Sequence, residues 1–294
     1  MAEQPGWLGT ATLVFFRRGR GTVHQGGATA PLKLQRGYDH GDGRWQLPLL
    51  HTAGGLVGGD QLAVDVRAGA GSQALITTVA AQKIYGSVGR SRQVPEGRWS
   101  RQSLHMHLAE AADLEWMPQE TILFDAGLFE QHCLVELARD AVWLGVEVVR
   151  LGCTAAGQRL NRGEWRSRLE VWRGEHPLLI DPQRLSAEGR DCPHGMDTEP
   201  VYGTLVWAGV QLPDGALLER CRSDRRGLAG TMVCDAIAEA GHAGLICRYR
   251  GPSTVAARFW FARVWARLRA FRQLPPPALP RVWPFQENPL LGAS

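Results

Sequence analysis

Apolar and polar residues alternate along several segments of this chain, and the alternation limits the fold to one built largely from β-strands. In these segments apolar side chains recur at every second position, which is typical of strands with one buried face. Clusters of turn-forming residues such as AGAG and PEG separate the segments. No repeat of fixed length accompanies the alternation, so a regular solenoid is not predicted. The clearest segments are QLAVDVRAG (61–69), SLHMHLAE (103–110) and AVWLGVEVV (141–149).

Two helices are predicted near the C-terminus. Residues 252–277 carry apolar side chains at helical spacing, begin with the potential N-cap residue Ser253, and end at three consecutive prolines. Residues 228–241 are rich in alanine and end on Gly241, a residue type that often follows the last turn of a helix.

The chain shows no linker or charge run that would divide it. One domain over residues 1–294 is therefore the simplest expectation, with a proline-rich, irregular tail from about residue 275.

Composition and segment patterns exclude several classes of protein. The net charge of +4 is too small and too dispersed for a nucleic-acid-binding protein. No apolar run reaches the roughly 18 residues that a membrane span needs, and the first residues do not resemble a signal peptide. The six cysteines form no CxxC pair, so we expect reduced thiols and a cytoplasmic location.

The segment PLLHTAGGLVGGD (48–60) has four glycines within six residues, which raises the question of a phosphate-binding loop. A Walker loop needs a lysine after its last glycine, whereas Gly59 is followed by Asp60. A dinucleotide-binding loop needs another glycine spacing and a following helix. We therefore expect a sharp turn in which glycine permits positive φ angles and close backbone approach.

Two groups of side chains could hold a metal ion. His105 and His107 point to the same face of a predicted strand, and Cys192 and His194 share one loop. Zinc and nickel both accept imidazole and thiolate ligands. A metal-dependent hydrolase on a β-fold that uses His105, His107 and nearby acids is therefore one functional hypothesis. The serine-hydrolase motif GxSxG and the zinc-protease motif HExxH are absent.

Five segments follow one another along the chain: PLLHTAGGLVGGDQLAVDV, ALITTVAAQKIYGS, LEWMPQETILFDAG, GQRLNRGEWRSRLEVW, and VWARLRAF with LPRVWPF. Together they resemble the family of the urease accessory protein UreD, also called UreH, and the resemblance covers roughly residues 10–285. The sequence departs from the family pattern at Met117, where leucine is usual, at Gln158, which interrupts a Gly-Arg pair, and at Trp165, where phenylalanine is common.

The resemblance implies a mainly β fold, an elongated β-helix-like stack of short strands with two late α-helices. It also implies a maturation scaffold rather than an enzyme. Proteins of this family bind apo-urease and the helical accessory protein UreF, which recruits the nickel-carrying GTPase UreG. No cofactor is expected to bind stably, and Ni(II) is expected to pass transiently through a polar passage. The late helix and the LPRVWPF segment are the candidates for partner contact.

Five acids in the matching segments are candidates for lining a nickel path. A transfer path should hold Ni(II) weakly, through oxygen and water ligands rather than a closed cage of histidine and cysteine. The alternative is that these acids fix turns and pair with arginines. A binding module without a metal role also stays open as a hypothesis. The candidate acids are Asp60, Glu115, Glu120, Asp125 and Glu164.

Overall fold

Strands make up most of the protein. The computed structural model describes residues 6–39, 41, 43–239 and 242–290. The helices in this part are α1 (Ala187–Arg190), α2 (Gly215–Ser223) and α3 (Thr254–Phe271), and a short 3-10 turn covers Thr154–Ala156. The strands are β1 (Leu8–Arg18), β2 (Gly21–Ala28), β3 (Leu32–Leu34), β4 (Tyr38–Asp39), β5 (Trp45–His51), β6 (Gln61–Ala68), β7 (Gln73–Thr78), β8 (Gln82–Ile84), β9 (Ser100–Leu108), β10 (Asp113–Trp116), β11 (Thr121–Leu123), β12 (Gly127–Leu137), β13 (Val142–Leu151), β14 (Gly163–Arg173), β15 (His176–Ser186), β16 (Val201–Gly209), β17 (Thr231–Glu239) and β18 (His242–Gly251).

The strands form two sheets, and the chain crosses between them repeatedly. Sheet A has the order β15-β14-β12-β9-β6-β1-β2, and sheet B has the order β17-β18-β16-β13-β10-β7-β5-β3. The short strands β4, β8 and β11 extend sheet B at its margin. From β5 to β14 the chain places its longer strands alternately in sheet B and sheet A, so successive strands of each sheet pair in parallel. This winding confirms the predicted mainly β, β-helix-like stack.

Antiparallel strands complete both sheets. The β1–β2 and β14–β15 hairpins flank sheet A. Sheet B continues beyond β13 through β16, β18 and β17, which all pair in antiparallel fashion. The parallel part of each sheet is therefore flanked by antiparallel strands.

Two hydrophobic layers hold the sheets. The inner layer lies between them, where Phe15 and Val66 of sheet A and Ile76 and Leu114 of sheet B are fully buried. The second layer covers the outer face of sheet B, where Trp260 of α3 packs with residues of β16 and β18. Sheet B is therefore buried on both faces, whereas sheet A turns one face to solvent.

This difference explains the two kinds of strand pattern in the sequence. In β9, Leu104, Met106 and Leu108 are buried, whereas His105 and His107 are exposed. Strand β13 of sheet B is buried at nearly every position, as expected for a strand covered on both faces. The predicted alternation at 61–69 and 103–110 is confirmed.

The helix predicted at 252–277 is present as α3. Ser253 caps it, since its hydroxyl accepts a hydrogen bond from the backbone N–H of Ala256 at 3.2 Å. The helix ends at Phe271, before the prolines. Trp260, Phe261 and Trp265 are all buried, so α3 is covered around much of its circumference. None of the helices in the described part of the chain is long and apolar enough to cross a membrane.

The helix prediction for residues 228–241 is wrong. The segment forms β17, which pairs with β18 along the edge of sheet B. Met232 and Cys234 are buried while Val233 is exposed, a strand pattern that outweighs the local helix preference of alanine. Gly241, the expected helix end, lies outside the described residues. The second late helix is instead α2, which Asp214 caps by accepting the N–H of Leu217 at 2.6 Å.

The tail after α3 is irregular and folds back onto the protein. Trp283 donates its indole N–H to the hydroxyl of Thr77 in β7 at 2.8 Å. The Trp283 ring also lies 6.1 Å from that of Trp265 in α3, and Phe285 packs edge-on against Phe259. The tail therefore bridges α3 and sheet B.

The capping of α3 by Ser253 can be tested directly by mutation. We expect Ser253→Ala to lower the free energy of unfolding by about 1 kcal/mol, because an N–H at the start of the helix loses its acceptor. Urea denaturation followed by tryptophan fluorescence measures the change. Ser103→Ala, on the exposed side of β9, is the matched control. An equal loss in both variants would contradict the assigned cap.

Candidate functional site

The glycine-rich segment 48–60 forms the sharp turn between β5 and β6, as expected. Gly59 has a φ of 100°, which favours glycine over residues with a side chain. A Cβ atom added to Gly58 would lie 2.2 Å from the hydroxyl of Ser87, so the backbone approach requires glycine there too. The segment is therefore a close-packed turn.

Two of the predicted acids fix turns. The buried carboxylate of Asp60 accepts the backbone N–H groups of Trp7 and Val57, both at 2.9 Å, and so ties the glycine turn to the start of β1. Asp125 accepts the backbone N–H groups of residues 161 and 162 at 2.7 and 2.9 Å. Both carboxylates accept hydrogen bonds from backbone N–H groups that are not paired within a helix or sheet.

Glu115 belongs to a buried ion network that joins sheet B to α3. Its Oε1 accepts hydrogen bonds from Trp265 Nε1 at 2.8 Å and from Arg269 Nη1 at 3.3 Å. Its Oε2 lies 3.3 Å from Nε of Arg44. The side chains of Glu115, Arg44 and Arg269 are each only 2% exposed, so the charges compensate one another rather than being hydrated.

Asp113 completes this network on the same strand. Arg44 donates to it at 2.8 Å and Arg272, just after α3, donates at 2.7 Å. Burial acts to raise the pKa of Asp113, but the Arg44 and Arg272 guanidiniums outweigh it and hold the pKa well below its usual value. Asp113 is therefore ionised, and three arginines share two carboxylates in this region.

Glu120 faces a buried arginine next to the tail. Arg258 Nη1 lies 3.4 Å from Glu120 Oε2, and its guanidinium lies 4.5 Å from the centre of the Phe285 ring and 5.3 Å from that of Trp283. Burial lowers the pKa of Arg258, and Glu120 opposes the shift. The carboxylate of Glu120 thus compensates the charge of Arg258, which the tail covers.

Glu164 pairs with two arginines at the start of β14. Arg184 donates to it at 2.7 and 2.8 Å, and Arg166 also donates to it. Although burial acts in the opposite direction, the hydrogen bonds from Arg184 and Arg166 lower the pKa of Glu164. This acid is held ionised by its neighbours.

The five predicted acids do not converge on one point. Each has its own partners, and among the described residues no group of three or more His, Cys, Asp or Glu side chains could hold a metal ion.

The predicted histidine pair lies on the exposed face of sheet A. His105 Nε2 lies 2.6 Å from Glu136 Oε2, and His105 Nδ1 lies 3.7 Å from Asp65 Oδ2. His107 Nδ1 is 4.0 Å from the same Glu136 oxygen. Cys192 and His194 are exposed in a loop elsewhere. The two pairs therefore do not combine, and neither lines a cavity between the sheets.

A cavity of about 160 Å³ with a mixed polar and apolar wall lies between the two sheets. Residues of both sheets form its wall, together with residues 54–55 and 80–83. Glu120 itself is absent from the wall, but its neighbours Gln119 and Thr121 are part of it. The polar side chains of the wall are His51, Thr78, Gln82, Lys83, Gln102, Gln119, Thr121, Gln131 and Glu147.

A second, smaller cavity of about 40 Å³ adjoins the first. The two share lining residues, among which Gln131 of β12 and Glu147 of β13 are polar. Ser167, Asp181 and Thr204 add polar groups to the far wall of the second cavity. Polar side chains therefore continue from the loops at one end of the first cavity to the interior around β14, β15 and β16.

Glu147 stands at the junction of the two cavities. Gln131 donates to its carboxyl group at 2.5 Å, and Ser167 is a second hydrogen-bond partner. Glu147 keeps some accessible surface because it lines both cavities, yet protein surrounds it. Burial raises the pKa of Glu147 to about 7, against the effect of the Ser167 and Gln131 hydrogen bonds. The carboxyl group is therefore close to half-protonated near neutral pH.

A fixed ion pair lies beyond Glu147. Arg248 of β18 pairs with Asp181 of β15 at 2.7 Å and donates to Thr204 at 2.7 Å. Gln183 donates to the same Asp181 carboxylate at 2.6 Å. The pair is neutral as a unit, so Glu147 is the acid at this point whose charge can vary.

The sequence analysis missed Glu147 and Gln131 as site residues. The available signal was the single acid inside the otherwise apolar run AVWLGVEVV. An acid in a strand buried on both faces is costly unless the structure gives it a polar environment, and such acids often mark sites. That the strand is buried on both faces became evident only from the two-layer packing.

Comparison with known proteins decides the family. The family model described as UreD urease accessory protein matches residues 8–284. The chain is 50% identical over 304 residues to the urease accessory protein UreD of Synechococcus sp. (strain WH7805), covering 98% of this chain and 94% of that protein. It is 54% identical over 276 residues to that of Prochlorococcus marinus (strain MIT 9313), covering 91% and 85%. This chain belongs to the UreD family. The predicted resemblance is confirmed.

UreD proteins are urease accessory proteins and not enzymes, so the hydrolase hypothesis is wrong. The geometry agrees with this outcome, since His105 and His107 lie beside Glu136 on an exposed sheet face. Membership of this family does not by itself explain the two cavities between the sheets, whose walls contain polar side chains.

Removing one partner from the buried network should destabilise the protein more than removing one partner from a surface pair. We expect Glu115→Gln to lower the free energy of unfolding by about 3 kcal/mol, because Arg44 and Arg269 would stay buried with less compensating charge. The exposed pair of Glu130 and Arg101 supplies the control, and Glu130→Gln should change stability by less than about 1 kcal/mol. Urea denaturation at neutral pH measures the free energy of unfolding of both variants. Equal losses in the two variants would contradict the assignment of Glu115 to a buried ion network.

Glu147 should make stability depend on pH. Its pKa is about 7 in the folded protein against 4.5 for an ordinary glutamate, so the folded state binds the proton more tightly and stability falls as pH rises from about 4.5 through 7. We expect the wild-type chain to lose roughly 2 to 3 kcal/mol relative to Glu147→Gln between pH 5 and pH 8.

Denaturation of both proteins across this pH range measures the difference directly. Comparing the two proteins cancels the titration of other groups. A difference that does not change with pH would show that Glu147 is ionised throughout.

Proposed function

We propose that this chain is a cytoplasmic scaffold for urease maturation that binds apo-urease, UreF and, through UreF, UreG, and that it helps to deliver nickel to the urease active site. The observation that carries the proposal is the pair of adjoining cavities between the sheets whose walls contain polar side chains, with Gln131 and Glu147 at their junction. A two-sheet stack ordinarily fills this space with apolar side chains, so buried polar side chains around a cavity call for a functional reason.

The chemistry of the cavity walls suits a transiently held divalent cation. Amide, hydroxyl and carboxyl oxygens dominate the polar groups, whereas a stable nickel or zinc site would need several converging imidazoles or thiolates. The walls of the two cavities contain no such cluster. Weak oxygen ligands allow a cation to leave as well as to enter, which a transfer route requires.

Two of the five acids predicted from the sequence, Asp60 and Glu120, enter this proposal as groups near the first cavity. His51 lines this cavity, and burial lowers the pKa of His51 although the nearby charge of Asp60 acts to raise it. Glu120 lies between two residues of the same wall. We propose that Asp60 and Glu120 contribute to nickel passage at this end. Glu115, Asp125 and Glu164 hold the surrounding elements in place through the contacts described above.

The tail and α3 are the proposed contact for UreF. The LPRVWPF segment lies over α3, and Arg281 in it is exposed and stacks 5.4 Å from the ring of Tyr38. Val255 at the start of α3 is 52% exposed. Aromatic and arginine side chains of this kind commonly anchor protein interfaces.

Co-purification combined with activation tests the scaffold. The tagged chain is expressed with apo-urease, UreF and UreG, the complex is isolated, and urea hydrolysis is assayed after nickel, bicarbonate and GTP are added. We expect co-elution, and activity that is lost when this chain is omitted. Activation that proceeds equally well without the chain, with no co-elution, would refute the proposal.

The double variant Asp60→Asn with Glu120→Gln separates passage from structure. We expect slower activation with the complex still assembled, because both changes remove charge near the first cavity and keep side-chain size. Glu130→Gln, on the outer face of sheet A, is the matched control and should activate normally. Loss of assembly in the double variant would instead assign both acids a structural role.

A further inference from the structure

Three of the six cysteines lie together under α2. Cys221 of α2, Cys234 of β17 and Cys247 of β18 are each fully buried and belong to the hydrophobic layer on the outer face of sheet B. The walls described for the two cavities contain none of the three. The cluster is therefore separate from the proposed nickel route.

Cys234 and Cys247 face each other across two antiparallel strands. They are direct partners in the pairing of β17 with β18, and both side chains point into the same layer. Directly opposed residues in such a pair have Cβ atoms about 4.5–5.5 Å apart. A disulfide needs about 3.5–4.5 Å, so a small local adjustment brings the two sulfurs into bonding range.

Cys221 is held against the same pair from the other side. Its neighbour Arg222 donates to the carbonyl of Cys234 at 2.9 Å and to the carboxylate of Asp235 at 2.7 Å. The carbonyl of Cys221 itself accepts the indole N–H of Trp260 at 2.8 Å. The end of α2 is thus fixed over β17, with the Cys221 thiol beside that of Cys234.

Cys234 is the central thiol and the most easily ionised of the three. Hydrogen bonds from Cys221 and then Cys247 lower its pKa, and the nearby charge of Arg222 acts in the same direction. The pKa values of Cys221 and Cys247 are raised instead, because a proton on each of these thiols stabilises the thiolate of Cys234. The thiolate is the reactive form of cysteine.

We propose that Cys221, Cys234 and Cys247 form an oxidisable thiol site, in which Cys234 reacts with hydrogen peroxide and then forms a disulfide with Cys247, or with Cys221 when Cys247 is absent. The sulfur of Cys234 attacks one peroxide oxygen, so that an S–O bond forms, the O–O bond breaks and the departing hydroxide takes up a proton as water. The neighbouring thiol then attacks the sulfenic sulfur, an S–S bond forms, the S–O bond breaks and a second water leaves. Two thiols are oxidised and one peroxide is reduced to two waters.

The burial of the cluster selects the oxidant. Hydrogen peroxide is small and uncharged, whereas maleimides and other bulky thiol reagents need an exposed sulfur. The third thiol stays next to the new disulfide and can attack it, which makes the bond exchangeable rather than permanent. A disulfide between β17 and β18 would link the edge strand of sheet B covalently to its neighbour.

Mass spectrometry of the full-length chain tests the site. The native protein is treated with hydrogen peroxide, free thiols are then alkylated after denaturation, and peptides are mapped. We expect a Cys234–Cys247 disulfide, a loss of two hydrogens from the chain mass, and full reversal by dithiothreitol. Oxidation confined to Cys192 or Cys153, with the three clustered thiols still reduced, would overturn the proposal.

Single variants assign the roles within the cluster. Cys234→Ser should abolish the disulfide, Cys247→Ser should redirect it to Cys221–Cys234, and Cys221→Ser should leave Cys234–Cys247 unchanged. Cys133→Ser is the matched control, since that buried cysteine lies between the sheets. A disulfide between Cys221 and Cys247 that survives in Cys234→Ser would overturn the central role of Cys234. If Cys234→Ser fails to fold, Cys234→Ala and the wild-type peptide map decide the same question.

Discussion

Cover on both faces of sheet B is the constraint on which the rest of this structure depends. The central strands of both sheets pair in parallel, but only those of sheet B carry apolar side chains on both faces, as the nearly continuous burial of β13 shows, so both faces of sheet B need a cover. Sheet A supplies one cover, and α3 with α2 supplies the other. The chain crosses from one sheet to the other between successive strands, so each crossing adds a parallel strand and its cover together. The late helices complete a layer that the strands cannot form by themselves.

Arginine holds this second cover in place. Arg44 from the sheet, together with Arg269 and Arg272 at the end of α3, surrounds the carboxylates of Asp113 and Glu115 in a region nearly closed to solvent. Such a network adds little net stability to the protein, but removing one of its partners destabilises the protein strongly. Its planar, multiply hydrogen-bonded geometry also fixes how the helix lies on the sheet. These three arginines therefore have a structural role inside the protein.

The acids named from the sequence and the acid found in the cavity differ in a physical way. Asp60 and Asp125 accept backbone N–H groups, while Glu115, Glu120 and Glu164 face arginines, so their charges are already compensated. Glu147 has neutral hydrogen-bond donors and an adjacent pair, Asp181 with Arg248, that is itself neutral. Its charge is therefore the one that a visiting cation or a proton could balance. This contrast explains why the polar cavities, rather than the glycine turn, carry the functional proposal.

The sequence by itself determined the strand periodicity, the position and cap of α3, the sharp glycine turn before β6, and membership of the UreD family through ordered motifs. These features are local, because turn geometry, capping and face alternation depend on residues close in the chain. Tertiary structure alone decided that 231–239 is a strand, since its alanines prefer a helix until β18 offers a pairing edge. It alone also brought Cys221, Cys234 and Cys247 together and placed Glu147 between two cavities. Which side chains meet across the layers depends on winding and register, and neither is encoded in any single segment.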